Sequence, residues 1–366
     1  MELSEKSPAI RIHSEEPPNA ETPPHSLRES FVTPVERFFV RTHGSPPRVE
    51  SSGYSLEVRG LVGHPLSLSL KDLKKNFPKR EITAALHCAG NRRSQLMKVR
   101  QIPGETAWDI GAIGNARWAG VSLRELLLEA GVGEEARHVA FTGLDEVTLQ
   151  DGTTPFGGSI PLEKALGGDV LLAYEMNGEP LATVHGYPLR AMVSGYIGAR
   201  SVKWLSQIEV RREPSDNHFQ THDYRLYPAD EEPGEPDPAE GEPLGDLYVN
   251  SAICRPVGGE LVPTGLIKVA GYAITGGGRQ VEIVEVSADG GETWQGADLT
   301  LSEDPGAWVF WETRVDPGSE RREIHLLARA RDTSGEIQPA SPHQTWNPKG
   351  YANNAYHRVD IRRSGG

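Results

Sequence analysis

A run of proline, glutamate, aspartate and glycine near the middle of the chain limits the folds that this sequence can adopt. The segment Tyr227 to Gly245 reads YPADEEPGEPDPAEGEPLG, and neither a helix nor a central strand continues through so many prolines. Because 366 residues are also long for one hydrophobic core, we expect two domains joined by this segment. The predicted boundaries are an N-terminal arm at 1–30, a first domain at 31–226, a linker at 227–246 and a second domain at 247–366.

The second predicted domain has the residue alternation of an antiparallel β-sandwich. Apolar and polar residues alternate along four runs that are separated by Gly, Asp and Pro turns. The runs are Leu266 to Ile274, Gln280 to Ser287, Trp308 to Val315 and Glu323 to Asp332. This pattern predicts an all-β second domain, and no internal repeat indicates a solenoid or a propeller.

The first predicted domain mixes strand-like and helix-like segments. The segment Ser122 to Ala130 (SLRELLLEA) has helical periodicity. The strand-like runs are Tyr54 to Leu61, Ile82 to Leu86, His138 to Gly143 and Ser201 to Val210. This mixture predicts an α+β domain. The preceding arm is acidic and proline-rich without apolar periodicity, so we expect it to lie extended on the surface with little core of its own.

The charge balance excludes several kinds of partner. The sequence has 38 Lys and Arg against 51 Asp and Glu, a formal net charge of −13 at pH 7. Such an acidic chain is a poor binder of nucleic acid or of an anionic membrane, and no apolar run approaches the length of a membrane span. The N-terminus lacks a basic start followed by an apolar stretch, which predicts a cytoplasmic location.

One of the two cysteines lies in a setting that favours chemistry. The segment Ile82 to Arg93 (ITAALHCAGNRR) begins as a strand, reaches Cys88 and ends with two arginines. Nearby positive charge favours the thiolate, which is the form that binds a soft metal ion. A buried structural cysteine is the alternative for any lone thiol, and that is how we interpret Cys254 in NSAICRPVGG.

Other arginines and histidines in short motifs could bind an oxoanion. Arginine binds phosphate and carboxylate oxygens through two parallel hydrogen bonds. The candidates are Arg41, Arg92, Arg93, Arg190 and Arg200, with His43 and His185 in turn motifs. A zinc site is not supported, because the sequence has no Cys-x-x-Cys pair and no His-Glu-x-x-His motif. No Gly-rich nucleotide-binding motif stands between a strand and a helix either.

Several motifs together resemble the sulfite oxidase family of molybdenum enzymes, in its haem-free form. They are FFVRTH (Phe38 to His43), HCAGNRR (His87 to Arg93), ARWAG (Ala116 to Gly120), LLAYEMNGEPL (Leu171 to Leu181), HGYPLR (His185 to Arg190) and GARSVKWL (Gly198 to Leu205). Their order extends the resemblance from about Phe31 to the C-terminus. It implies an α+β molybdopterin-binding domain followed by an all-β immunoglobulin-like dimerisation domain.

The resemblance implies a cofactor of molybdenum and molybdopterin, and it assigns residues to that cofactor. Cys88 would be the protein's only direct ligand to molybdenum. The positions that match binding of the pterin and its phosphate are Phe39, Val40, Arg41, Thr42, His43, Asp145, His185, Arg190, Ser201, Val202 and Lys203. The phosphate would explain positive charge at this point of an acidic chain.

The resemblance also implies a pocket for a small oxoanion substrate. Arg41 and Arg93 match the family's substrate arginines, and Trp108 matches an aromatic wall of that pocket. Two positions depart from the pattern: Phe156 stands where we expect a tyrosine, and Lys349 replaces a third arginine. A lysine exchanges a planar fork of donors for a point charge. We therefore expect an altered substrate pocket, without the phenol, beside an intact cofactor site.

Three functions remain open from the sequence. The first is oxidation of sulfite or a related small sulfur oxoanion to sulfate by oxygen-atom transfer. The second is reduction of nitrate or of an S- or N-oxide on the same molybdenum domain, and the third is a non-catalytic protein that stores the cofactor. The resemblance further implies a homodimer. Because the first thirty residues are too few for a haem domain, we expect a separate electron acceptor: a cytochrome, another soluble acceptor or dioxygen.

Overall fold

The computed structural model describes residues 2–150, 152–229, 236–318 and 321–364. These residues form two β-rich domains, with the N-terminal arm packed against the first. Residues 230–235 of the predicted linker lie outside the described residues. On either side of that gap, β13 (Arg225–Leu226) pairs with β14 (Glu242–Pro243) in a short antiparallel ladder.

The first domain is built from strands with a few short helices. Its strands, with those of the arm, are β1 (Arg11–Ser14), β2 (Asn19–Glu21), β3 (Leu56–Gly60), β4 (Leu66–Leu68), β5 (Arg80–His87), β6 (Ile113–Ser122), β7 (His138–Leu149), β8 (Gly152–Pro161), β9 (Val170–Met176), β10 (Glu179–Pro180), β11 (Arg190–Val193) and β12 (Leu205–Arg211). Its α-helices are α1 (Leu70–Asn76), α2 (Arg93–Met97), α3 (Leu123–Ala130), α4 (Leu162–Ala165) and α5 (His218–Thr221).

Two five-stranded sheets enclose the first core. One has the order β10-β9-β6-β5, with β11 also paired to β9, and the other has the order β4-β3-β12-β7-β8. Helix α3 forms as its sequence predicts, because Leu123, Leu126, Leu127 and Ala130 repeat at helical spacing and are all buried. It ends at Gly131, which adopts the left-handed conformation that glycine favours. The α+β prediction for this domain is confirmed.

One predicted strand begins later than expected. Ser201 to Val210 was predicted as a single strand, but β12 begins only at Leu205. The preceding residues Gly198–Arg200 form a 3-10 turn, and Trp204 has a positive φ of 47°. These turns bend the chain, so Ser201 and Lys203 line the site described below instead of extending the sheet.

The second domain is a two-layer β-sandwich. Its strands are β15 (Asn250–Arg255), β16 (Leu261–Val262), β17 (Ile267–Ile274), β18 (Val281–Ser287), β19 (Gln295–Gly296), β20 (Asp298–Thr300), β21 (Val309–Val315), β22 (Glu323–Asp332) and β23 (His357–Arg363). The sheets have the orders β15-β17-β21-β20 and β16-β23-β22-β18-β19. Alternate residues such as Val284, Trp311 and Leu326 fill the space between the layers. The all-β prediction is confirmed.

The N-terminal arm is more ordered than its composition suggests. Strands β1 and β2 form an antiparallel hairpin, and the residues of β2 are buried. Ala20 exchanges two backbone hydrogen bonds with Val40, at 2.9 and 2.8 Å. Leu27 belongs to the first domain's core. The expectation of a surface arm with little core was therefore wrong, because backbone pairing and a few buried side chains hold it where apolar periodicity is absent.

No helix in the described ranges is long and apolar enough to cross a membrane. Helix α3 has eight residues, whereas a membrane-spanning helix needs about 20.

Candidate active site

A cavity in the first domain brings together most of the predicted site residues. The space among its lining atoms is about 660 Å³, which includes the part open to solvent. Of the sixteen predicted site residues, eleven line it: Phe39, Arg41, Thr42, His43, Cys88, Asp145, Phe156, His185, Arg190, Ser201 and Lys203. Segments far apart in sequence therefore converge on one space around the Cys88 side chain.

Cys88 stands at the point where β5 ends. Its backbone N–H donates to the Ala112 carbonyl at 2.9 Å, and its carbonyl accepts from Asn91 N at 3.0 Å, so the chain turns sharply after the thiol. Burial raises the pKa of the Cys88 thiol, although the positive charges of Arg41 and Arg93 act in the opposite direction. A buried thiol beside two guanidinium groups becomes a good thiolate ligand once a cation replaces its proton.

The second domain clamps the loop that follows Cys88. Asn91 Nδ2 donates to the Tyr272 hydroxyl at 3.0 Å, and that hydroxyl donates to the Ile110 carbonyl at 2.9 Å. Arg92 donates to Asn250 Oδ1 and to the Ala355 carbonyl, both at 2.6 Å. Arg92 is therefore a structural link between the domains and does not reach the cavity as an oxoanion ligand.

The FFVRTH motif contributes all of its side chains except Val40 to the cavity. Phe39, Arg41, Thr42 and His43 line it, whereas Val40 pairs through its backbone with the arm and points into the core. His43 is neutral, because burial and then the charge of Arg41 lower its pKa well below the usual value. A neutral imidazole can both accept and donate a hydrogen bond.

A cluster of basic residues forms the inner end of the cavity. Arg190 donates to the His185 carbonyl at 3.0 Å and to the Ser201 carbonyl at 2.9 Å. Lys203 Nζ donates to the carbonyls of Arg41 and Val184, both at 3.0 Å. Burial lowers the pKa of Lys203 well below its usual value, and the charge of Arg190 acts in the same direction. Burial likewise lowers the pKa of Arg190, to about 9.

Asp145 is the acidic residue of the same end. One of its carboxylate oxygens, Oδ1, is buried without a hydrogen-bond partner among the described residues. Burial raises the pKa of Asp145 to about 6, while Lys203 acts to lower it. A carboxylate in this position offers an acceptor to a ligand that carries N–H donors.

The residues present fit an anionic pterin cofactor. Three cations, Arg41, Arg190 and Lys203, line the cavity against a single carboxylate, Asp145, among the described lining residues. Burying uncompensated positive charge is unfavourable, so this arrangement favours a negatively charged ligand such as a phosphate. The unpartnered Asp145 oxygen suits the donor edge of a pterin.

Ser201 and Val202 serve the site mainly through backbone geometry. The Ser201 hydroxyl accepts from Val193 N at 3.0 Å, and the Val202 carbonyl accepts from Ala191 N at 2.8 Å. Both bonds hold the turn against β11. The Val202 side chain is buried in the core and is outside the cavity lining.

The cavity contains a phenol that the sequence interpretation missed. Tyr224 lines the cavity, and its hydroxyl lies 2.7 Å from His43 Nε2. Phe156 lines it too and stacks on His43, with ring centroids 4.6 Å apart. The expectation that Phe156 leaves the pocket without a phenol was therefore wrong. The segment HDYRLYP carries a tyrosine three residues after α5, and this was the available signal.

Three predicted substrate residues lie outside the cavity lining. Arg93 is buried beside it, where Nη1 contacts Glu105 Oε2 at 3.1 Å and Nε donates to the Lys349 carbonyl at 3.0 Å. Lys349 extends its side chain away from Arg93, to Asp223 Oδ1 at 3.2 Å. Trp108 is fully buried and packs edge-on against the arm. Trp108 does not line the cavity but packs in the same apolar cluster as Cys88, so its role as a wall of the substrate pocket stays a prediction.

Comparisons with known proteins agree with this architecture. A model of the oxidoreductase molybdopterin binding domain matches residues 43–219, and a model of the Mo-co oxidoreductase dimerisation domain matches residues 242–364. The sulfite oxidase of Gallus gallus is 44% identical over 362 residues, 96% of this chain and 78% of that protein. The sulfite oxidase of Arabidopsis thaliana is 40% identical over 98% of this chain and 95% of its own length.

A solved structure and a further relative extend these comparisons. The sulfane dehydrogenase SoxCD from Paracoccus pantotrophus superimposes with a TM-score of 0.79 at 29% identity, covering 95% of this chain and 85% of that one. An inducible NADH nitrate reductase of Glycine max is 36% identical over 98% of this chain, which is 42% of that protein. The two matched domains, the long alignments and the shared fold show that this chain is a molybdenum–molybdopterin oxidoreductase and belongs to the sulfite oxidase family.

Proposed function

We propose that this protein oxidises sulfite to sulfate at a molybdenum centre bound in the cavity around Cys88. The observation that carries the proposal is the buried Cys88 thiol among cationic side chains, two of which, Arg41 and Arg93, act on its ionisation. Curated relatives named sulfite oxidase that align over nearly the whole chain support the choice of substrate. Sulfite and water give sulfate with release of two electrons and two protons.

We assign Cys88 as the metal ligand and the inner end of the cavity to the pterin and its phosphate. Arg190 and Lys203 would neutralise the phosphate, and His185 lines the same end. Asp145 would accept hydrogen bonds from the pterin ring. When bound, the molybdenum centre supplies the oxygen-atom transfer and accepts two electrons, while the protein binds and orients the reactants.

Two arginines would hold the oxoanion substrate. Arg41 lines the cavity, and Arg93 lies close enough for its charge to oppose the rise in the pKa of Cys88 that burial causes. Guanidinium groups bind oxoanions through paired hydrogen bonds, which also fix their orientation. Lys349 pairs with Asp223, and both side chains are only partly exposed, so the Lys349 charge would act on an approaching anion at a distance and against that carboxylate.

Tyr224 and His43 would exchange hydrogen bonds and protons with the substrate or with water. Burial raises the pKa of the Tyr224 phenol, and burial lowers the pKa of His43. Both groups are therefore neutral near pH 7, and the hydroxyl and His43 Nε2 share a hydrogen bond of 2.7 Å. A phenol both donates and accepts, so Tyr224 keeps hydrogen-bonding capacity for a protonated oxoanion or for water in addition to this bond. Stacking on Phe156 keeps the imidazole in place.

The two electrons would leave to a separate acceptor. In the described ranges no group of three or more His, Cys, Asp or Glu residues is arranged to hold a second metal ion. A cytochrome, another soluble acceptor or dioxygen fits this requirement. The match to a dimerisation domain supports a homodimer assembled through residues 242–364.

The decisive test combines cofactor content with turnover. Molybdenum and pterin per chain are measured in wild type, Cys88→Ser and Cys254→Ser, together with sulfite oxidation by an artificial electron acceptor. We expect about one molybdenum per chain in wild type, and a fall in turnover of at least about 1,000-fold in Cys88→Ser, or roughly 4 kcal/mol. The same change at the buried Cys254 should leave metal content and turnover per folded chain close to wild type.

Other outcomes separate the remaining functions. A molybdenum-loaded wild type that turns over nitrate with a reduced dye, and not sulfite, would replace the proposal with oxoanion reduction. Bound pterin without turnover of either substrate would identify a cofactor-storage protein. Sulfite turnover that survives in Cys88→Ser would contradict the assignment of the metal ligand.

A further inference from the structure

The N-terminal arm is attached to the same segments that form the cavity. Asn19 Oδ1 accepts from Thr42 N at 3.1 Å and from Arg41 Nη1 at 3.3 Å. The Thr42 hydroxyl donates to the Pro18 carbonyl at 2.8 Å, and Ser7 N donates to the Glu36 carbonyl at 2.8 Å. The arm therefore contacts the FFVRTH segment through Pro18 and Asn19, and the residues just before that segment through Ser7.

A lysine of the arm penetrates behind the inner end of the cavity. Lys6 is only 6% exposed, although a lysine in an acidic surface segment is ordinarily solvated. Its Nζ donates to the carbonyls of Val35 and Phe38, at 2.5 and 3.0 Å. The same atom lies 2.7 Å from Nε2 of His185, a residue that lines the cavity. All three N–H bonds of the ammonium group thus have a partner.

The contact with His185 determines what that ring can offer to a ligand. When Lys6 is protonated, its ammonium group has only donors, so the Nε2 that faces it accepts and the ring proton resides on Nδ1. Burial lowers the pKa of Lys6 to about 7, so this arrangement holds at and below neutral pH. Burial, and then the charge of Lys6, lowers the pKa of His185 well below its usual value, so the ring stays neutral. The ring is also held edge-on against Phe38, with centroids 5.5 Å apart.

We propose that Lys6 is a positioning residue for the pterin cofactor, acting through His185, whose orientation and tautomer it fixes from behind the cavity. The inference rests on the proposed function only in placing the pterin at this end of the cavity. Groups behind a ligating histidine generally tune how tightly the histidine binds, and their removal costs about 10-fold to 100-fold in affinity at metal sites. The N-terminal arm thereby becomes part of the cofactor site.

The experiment is a double-mutant cycle on the holoprotein. Full-length wild type, Lys6→Met, His185→Ala and the double variant are purified with cofactor, and the rate of pterin release is followed by the fluorescence of the oxidised pterin. Lys71→Met, an exposed lysine on α1, is the matched control. Lys6→Arg, which keeps the donors and the charge, tests rescue.

We expect Lys6→Met to release pterin about tenfold faster than wild type, and Lys6→Arg and Lys71→Met to remain within about threefold of it. In the His185→Ala background, Lys6→Met should add little, because its effect passes through that ring. A lysine that only anchors the arm on Val35 and Phe38 would instead multiply the release rate by the same factor in both backgrounds, and this overturns the proposal.

Two further outcomes also count against the proposal. Wild-type release rates in Lys6→Met would overturn it, and so would a failure of Lys6→Arg to restore slow release while limited proteolysis shows the arm still docked. Release is measured independently of turnover, so a pterin-bearing protein that fails to oxidise sulfite would contradict the proposed function and leave this cycle interpretable.

Discussion

The inner end of the cavity and the ion pairs beside it differ in how their cationic side chains are compensated. At the inner end, Arg190 and Lys203 donate to backbone carbonyls, and the nearest carboxylate, Asp145, keeps an unpartnered oxygen. Two cations beside the cavity, outside its lining, each face a carboxylate: Arg93 contacts Glu105 at 3.1 Å and Lys349 contacts Asp223 at 3.2 Å. We call these two ion pairs the mouth.

This difference separates a resident anion from a passing one. A cluster of buried cations held by neutral partners is unfavourable until a permanent anion joins it, which suits a cofactor that stays bound. Cations paired with carboxylates cost less to maintain, and a substrate anion need only weaken the existing pair. Among the described residues of these two regions, uncompensated positive charge therefore occurs only where the permanently bound cofactor would lie.

The largest expected effect tests the inner end through Lys203→Met. The methionine keeps most of the side chain's volume but removes the charge that would meet the cofactor's phosphate. Loss of one charge-assisted hydrogen bond costs about 1.5 to 3 kcal/mol, which predicts a fall in pterin affinity of roughly 10-fold to 100-fold. Pterin per folded chain is measured after dialysis. Lys79→Met, at a half-exposed surface ion pair, is the control and should keep full occupancy; equal loss in both variants would contradict the comparison.

The residues of the inner end could largely be predicted from the sequence, because most of them lie in short motifs. The residues of FFVRTH, HGYPLR and GARSVKWL are local in sequence, and their arrangement at the inner end follows once β5 and β11 are in place. The α+β domain and the sandwich could be predicted for a similar reason, since periodicity is a local property.

The mouth could not be predicted, because it depends on contacts between distant segments. Tyr224 reaches His43 from 181 positions away, and the Lys349 carbonyl meets Arg93 across 256 positions. The sequence predicts the position of the phenol at residue 156, which is Phe156. In the structure the phenol belongs to Tyr224, on another segment. The direction of the Trp108 ring depended on an arm whose composition gave no sign of its packing.

A second prediction concerns how far the buried Asp145 carboxylate lowers the stability of the apoprotein. Burial raises the pKa of Asp145 from 3.8 to about 6, so the folded state binds its proton more tightly than the unfolded state. This contribution to stability is complete below pH 4 and is lost as pH rises through 6. Asp145→Asn removes this titration. The free energy of unfolding of the variant should therefore exceed that of wild type by up to about 2 to 3 kcal/mol at pH 7, and the difference should disappear near pH 4.

Denaturant unfolding of both apoproteins at pH 4 and pH 7 measures this difference. Asp216→Asn is the matched control, because hydrogen bonding to Arg211 lowers the pKa of Asp216 and reverses the sign. That variant should be slightly less stable than wild type at pH 7. Asp145→Asn should also bind less pterin, which distinguishes a carboxylate retained for a ligand from one retained for the fold. A pH-independent difference would show that Asp145 pairs with Lys203 in the apoprotein.

The smallest expected effect tests the mouth through Glu105→Gln. Arg93 keeps its bonds to the carbonyls of Thr106 and Lys349 and its position over the Tyr351 ring, so it should stay in place when the carboxylate is neutralised. An unpaired guanidinium attracts a divalent oxoanion more strongly. Arg93 is buried but the Glu105 side chain is 22% exposed, so we assign the lost charge interaction about 1 kcal/mol, the upper end for ion pairs that solvent reaches. We therefore expect the KM for sulfite to fall about threefold to fivefold at low ionic strength with kcat nearly unchanged.

Raising the salt concentration should reduce the effect of Glu105→Gln, because screening acts on charges that the solvent reaches. Glu282→Gln, which neutralises the exposed partner of Arg331, should leave the KM unchanged. If the KM of Glu105→Gln instead rises, Glu105 orients Arg93 more than it opposes the substrate. The mouth would then resemble the inner end, in that its cation would depend on a fixed partner to hold its geometry, and the contrast between resident and passing anions would fail at that residue.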